Sequence, residues 1–121
     1  MTRNTKIRSR LWSPPARGSL FAHASEAEFA RLLDFYQVPW LYEPRTFPLL
    51  WSHEGQLKEC FTPDFYLPTA RQYIELTTCK PRLMAKKKRK IRLLKELYPH
   101  INIRLIQNKD FHHLMWKYYQ P

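Results

Sequence analysis

Glycine is almost absent, with only Gly18 and Gly55 in 121 residues. A chain so poor in the residue that lets backbone wrap a phosphate carries neither a Walker loop nor a dinucleotide-binding fingerprint, which removes the common nucleotide-cradling folds. Cysteine is equally scarce. Cys60 and Cys79 stand alone, without a C-x-x-C step or histidines at ligand spacing, so they make no zinc site or disulfide framework. They flank two strand patterns, so a single bridge between them is geometrically conceivable, but reduced thiols are expected. No apolar run approaches the roughly 18 residues that a membrane span requires. The first 20 residues also lack the apolar stretch of a secretory signal, so a cytoplasmic location is expected.

Negative charge is the other shortage. Ten acids face 21 lysines and arginines, for a formal net charge of +11, and no acid occurs in residues 1–23. Such an imbalance points to a polyanionic partner, nucleic acid or an anionic surface. What is abundant is apolar and aromatic residues, enough for one globular domain and too few residues for two. Residues 1–23, with Arg8, Arg10, Arg17 and a Pro14-Pro15 pair, read as a basic arm able to follow a phosphate backbone. Residues 24–121 read as the folded domain.

Within that domain, Ser25-Glu26-Ala27-Glu28 has the spacing of a capping box, and Phe29, Leu32, Leu33 and Tyr36 then recur at helical spacing. A helix over 25–37 follows. Trp40, Tyr42, Phe47, Leu49 and Trp51 alternate through a strand bent at Pro44 and Pro48, and Glu54-Gly55 marks the turn of a hairpin. LKECFTPDFYLP reads as a second strand interrupted by Pro63. RQYIELTT reads as a third, with Tyr73, Glu75 and Thr77 on one face and Ile74 and Leu76 on the other. A helix over 81–98 opens on Pro81 and carries Leu83, Met84, Ile91, Leu94 and Tyr98 as its inward stripe. INIRLIQ is a fourth strand, and NKDFHHLMWKYY a closing helix. The order α-β-β-β-α-β-α, with a strand-helix-strand passage over 71–107, predicts an α/β fold with a mixed four-stranded sheet flanked by helices.

Two acids stand out against this background. Asp64 closes FTPD, and eleven residues later Glu75 lies inside the apolar strand pattern YIELT. Carboxylates on neighbouring apolar strands are costly unless a cation, a proton or a metal offsets them, and two hard oxygen donors suit a divalent ion such as Mg2+ or Mn2+.

These motifs in this order resemble the PD-(D/E)XK nuclease superfamily, the restriction-endonuclease-like fold, over residues 25–107. That group includes archaeal Holliday-junction resolvases and the endonuclease subunits of heteromeric transposases. The resemblance implies metal-dependent hydrolysis of phosphodiester bonds in DNA. It makes Asp64 and Glu75 metal ligands, adds the carbonyl of Leu76, and gives Glu28 the place of the helix acid that many members contribute. In such a site the cation polarises the phosphate and lowers the pKa of a bound water. The chain departs from the motif at Thr77, where the lysine would stand, since a hydroxyl cannot supply that positive charge. Some families of this fold carry the lysine on the following helix. Here Lys87 falls on the apolar stripe, so its stem can lie against the sheet while its ammonium reaches the carboxylates, with Lys80 a second candidate and Lys88 a third.

Each of these residues also has an ordinary reading. Asp64 suits a turn after proline, Glu75 can be balanced by a core lysine or arginine, and Glu28 can close the capping box. Thr77 has β-propensity, Lys87 can belong to a solvated face, and Glu43 reads as an edge residue. The remaining cations Lys86, Arg89, Lys90, Arg92 and Lys95 are expected to point outward and meet phosphates. His112 and His113 lack further ligands, and most of the four tryptophans are expected in the core rather than stacked on bases. Beside the endonuclease two alternatives therefore stand: a catalytically inactive nucleic-acid-binding module, and an interaction subunit docking on an acidic partner in a mobile-element or defence complex. A single site would need a homodimer or a second cutting event to cut both strands.

Overall fold

The computed structural model describes residues 21–77, 80–107, 110 and 113. Arg8, Arg10, Arg17, Cys79, His112, Trp116 and the expected closing helix lie outside the described residues. Helix α1, Ala24–Phe35, starts one residue before the expected cap. His23, in extended conformation, is its N-cap and no side chain caps it, so Ser25 belongs to the first turn and the capping box does not form. The phase of α1 is set by Phe29, Ala30 and Leu33, which are buried together with Glu26 and Ala27. Folded packing already includes Phe21, from the expected arm, whose ring meets Tyr42 edge-on at 4.8 Å.

Among the described residues six strands form, in place of the expected four. β1 is Leu41–Tyr42, β2 Phe47–Trp51, β3 Leu57–Phe61, β4 Phe65–Leu67, β5 Gln72–Thr77 and β6 Ile103–Gln107. The main sheet is mixed and four-stranded, in the order β1-β4-β5-β6, with β1, β4 and β5 antiparallel and β5 parallel to β6. The hairpin β2-β3 is a separate two-stranded sheet. Pro63 divides what reads as one strand into β3 and β4: it has no N–H to offer a ladder, and it is fully buried between the two. Gly55 takes φ +87 in the hairpin turn, where Ser52 and Gln56 close the loop through a 2.8 Å backbone bond.

Alternation along β5 assigns the two helices to opposite faces of the main sheet. Ile74 and Leu76 join Phe29, Ala30, Leu33, Trp40, Phe65 and Ile106 on the α1 side. Tyr73 joins Ile103 and two residues of helix α2, Pro81–Leu97, namely Ile91 and Leu94. Phe47, Leu49 and Phe61 of the hairpin complete this second core, and Tyr98 ties helix end to hairpin by donating to the Pro48 carbonyl at 2.9 Å. The stripe of α2 is narrower than the sequence predicts, because Leu83 is 43% exposed. Among the described residues no helix is long and apolar enough to cross a membrane.

Phe65 stands where both strand registers and four other aromatic rings meet, Phe29 and Trp40 approaching it edge-on at 5.1 and 5.5 Å. Phe65→Ala is expected to cost about 3–5 kcal/mol, a large part of the roughly 5–15 kcal/mol available to a small domain. Urea denaturation measures this, with Phe35→Ala at a 77% exposed position as the control, expected within about 0.5 kcal/mol of the parent.

Candidate functional site

Asp64 is fixed before any ligand arrives. Its N–H donates to Glu75 Oε1 at 3.1 Å, its Oδ2 accepts from the Leu76 N–H at 2.9 Å, and its carbonyl accepts from the Glu43 N–H at 2.9 Å. Glu43 makes that last bond from the left-handed region, φ 46, an arrangement costing of order 1 kcal/mol and held by the strands around it. Asp64 therefore sits at the mouth of β4 with its backbone and carboxylate both committed to β5. Asp64 immediately precedes β4 and Glu75 lies in β5, the strand paired with β4, and both acids are buried.

Lys87 reaches them from α2. Its ammonium lies 3.1 Å from Glu75 Oε2 and also donates to the Leu76 carbonyl. The amphipathic placement read from the sequence thus has its geometric counterpart: the stem rests against the sheet and the head meets the acid. Glu75, Lys86, Lys87 and Lys90 line one cleft of about 350 Å3 together with Cys60, Phe61, Thr62 and Leu83.

The acid that α1 buries is Glu26, not the expected Glu28. Glu28 is exposed on the outer side of α1, whereas Glu26 is buried. Glu26 Oε1 accepts the Tyr42 hydroxyl at 2.6 Å and the Ala22 N–H at 3.2 Å. The physical reason is helical phase: position 26 stacks with 29, 30 and 33, and position 28 is turned away from them. The spacing of positions 26, 29, 30 and 33 can be read in the sequence, but which face of α1 turns inward was settled by packing on the core. Tyr42 had no such local signal, because its partner lies on another element.

Electrostatics follow from this crowding. Burial, then the charges of Glu75 and Glu26, push the Asp64 carboxyl up to about 8, against the opposing pull of the Leu76 N–H and Lys87. Burial also raises Glu75, with Lys87 opposing. Burial and the neighbouring Glu26 raise Glu43, and burial with the Glu26 hydrogen bond pushes the Tyr42 hydroxyl up.

The other predicted residues fall elsewhere. Thr77 is buried at the end of β5 but lines a second cavity, about 660 Å3, on the β6 side of α2 with Met84, Lys88, Ile91 and Arg92. Lys80 is the exposed N-cap of α2. Arg89 does not stand free for phosphate: it forms a forked pair with Glu59 of β3 at 2.9 and 3.2 Å. Cys60 is an exposed free thiol and Trp40 is fully buried, donating its indole N–H to Asp34, while Trp51 is half exposed.

Among the described residues no three of His, Cys, Asp and Glu are grouped to hold a metal ion by themselves. An ion here would rest on two carboxylates and one carbonyl, with water completing its shell. That all-oxygen donor set fits Mg2+, which keeps several waters and asks for one or two carboxylates. The Lys87 ammonium on two of the same oxygens shows that the spot accepts positive charge.

Comparison of the chain with protein-family models, with curated proteins and with solved structures gives no match in any of the three.

Because folding raises the Asp64 pKa, the folded state holds that proton more tightly than the unfolded chain. Its stabilising effect is complete below the ordinary carboxyl value near 4 and is lost as pH climbs to about 8. In the absence of divalent ions the melting temperature should fall across that window, and Asp64→Asn should make the fall shallower. Carboxyl-carbon NMR gives the companion measurement. Glu26→Gln should lower the Asp64 titration point by removing a neighbouring charge, and Glu28→Gln should leave it where it is.

Proposed function

We propose that the protein is a metal-dependent endonuclease that hydrolyses phosphodiester bonds in DNA, a variant PD-(D/E)XK nuclease whose lysine comes from α2. The observation that carries this reading is the pair Asp64 and Glu75, interlocked through backbone N–H groups where β4 begins beside β5, with Glu75 lining a cleft shared with Lys86, Lys87 and Lys90. When bound, Mg2+ would supply charge neutralisation of the phosphate and an acidified water. Asp64, Glu75 and the Leu76 carbonyl would hold it, and Glu26, fixed by Tyr42, adds negative charge nearby. Lys86 and Lys90 attract the phosphate backbone to the same opening, and Lys87 is the residue able to meet charge developing on phosphorus. One such site cuts one strand, so a double-strand break would need a second copy of the chain.

A second reading keeps the fold and the nucleic-acid surface without the chemistry. What favours it is that Lys87 already balances Glu75, so the buried acid needs no metal for stability, and that Thr77 stands at the motif position. The two readings separate in one assay. The endonuclease should nick supercoiled DNA with Mg2+ or Mn2+ present, and Asp64→Ala or Glu75→Ala should reduce nicking by at least about a hundred-fold, or ~2.7 kcal/mol in the barrier, while DNA binding is kept. Binding that falls steeply with salt, without nicking under any metal, would mark the binding module instead.

A further inference from the structure

Lys87 touches two of the oxygens that the proposed ion would use, Glu75 Oε2 at 3.1 Å and the Leu76 carbonyl. An ammonium has three donors and no lone pair, so it cannot itself ligate a cation. Two cations on the same oxygens repel at contact range in a site largely shielded from water. Lys87 and a divalent ion therefore exclude one another from this spot. The lysine has somewhere to go. Its side chain is 31% exposed, its stem is long and unbranched, and it borders the open cleft shared with Lys86 and Lys90.

Resting on the reading above, we infer that Lys87 is a displaceable internal counter-cation, whose ammonium leaves Glu75 and Leu76 for the cleft when a divalent ion takes their oxygens. In the metal-free protein it keeps the buried Glu75 paired. On displacement it is carried into the opening where Lys86 and Lys90 await a phosphate. A polyanion seated there attracts the same ammonium, so it releases the two oxygens for the ion, and by linkage the ion strengthens polyanion binding by the same factor. Divalent ion and polyanion thus bind cooperatively through one side chain. Metal binds weakly without substrate, and the lysine is delivered to the phosphate as metal enters.

The test uses the full chain and Mn2+ alone, at mildly alkaline pH. Amine acylation mapped by mass spectrometry should show Lys87 becoming several-fold more reactive as Mn2+ is titrated in, with Lys95, which borders the other cavity, as the internal reference. Isothermal titration should find Lys87→Met binding Mn2+ about ten-fold more tightly than the parent, since one charge-assisted contact no longer has to be broken. A short phosphodiester oligomer should tighten Mn2+ binding in the parent and do so less in Lys87→Met. If Mn2+ binds the parent and Lys87 acylation does not rise, the inference is overturned and the metal reading stands. If neither the parent nor Lys87→Met binds Mn2+, both fall. Should Lys87→Met not fold, the acylation measurement on the parent decides the matter unaided.

Discussion

Two buried carboxylates, Asp64 at the entry to β4 and Glu75 in the neighbouring β5, are the constraint around which this domain is arranged. Their mutual repulsion and loss of water are unfavourable, and the protein answers with directed dipoles and one charge. The Leu76 N–H points at Asp64, the Asp64 N–H points at Glu75, and the Lys87 ammonium lies against Glu75. A structural core has no need of such an arrangement, since apolar residues of similar size would fill the same space without the desolvation cost. A perturbed acid bordering a cleft is a recognised mark of functional sites, and Glu75 beside Lys87 is such an acid.

The second organising feature is how α2 divides its own charge. Lys86, Lys87 and Lys90 face the cleft beside the hairpin, while Lys88, Arg92 and Lys95 border the larger cavity beside β6. Arg89 is spent on Glu59 and fastens helix to hairpin on an exposed surface, where a single pair contributes little to stability and more to register. The basic run is therefore neither a uniform solvated face nor a uniform phosphate rail. The hairpin matters for the same reason: it stands apart from the main sheet, which the chain re-enters after Pro63, and Cys60, Phe61 and Thr62 form one wall of the cleft.

On the opposite side of the acid pair, α1 contributes through Glu26 rather than through its exposed neighbour. The Glu26–Tyr42 bond joins helix to β1, and Ala22 donates to both side chains, so residues just before the helix help fix the acid. Phe21, packed among Tyr42, Trp40 and Phe65, holds that entry in place.

The sequence by itself determined the α/β class, the mixed order of strands around a crossover helix and the facing of β5, and it left Lys87 between the sheet side of α2 and a solvated face. All of these rest on periodicity, which is a local property of side-chain direction. Only the tertiary structure decided that the hairpin forms its own sheet, that Glu26 displaces Glu28, that Thr77 opens to another cavity and that Arg89 is paired. Those outcomes depend on helix phase against a particular core and on contacts between residues far apart in the chain. A spacing such as S-x-x-E describes what a segment can do alone. Burial of Phe29 and Leu33 against the sheet is stronger than a cap, and it turned the helix to suit itself.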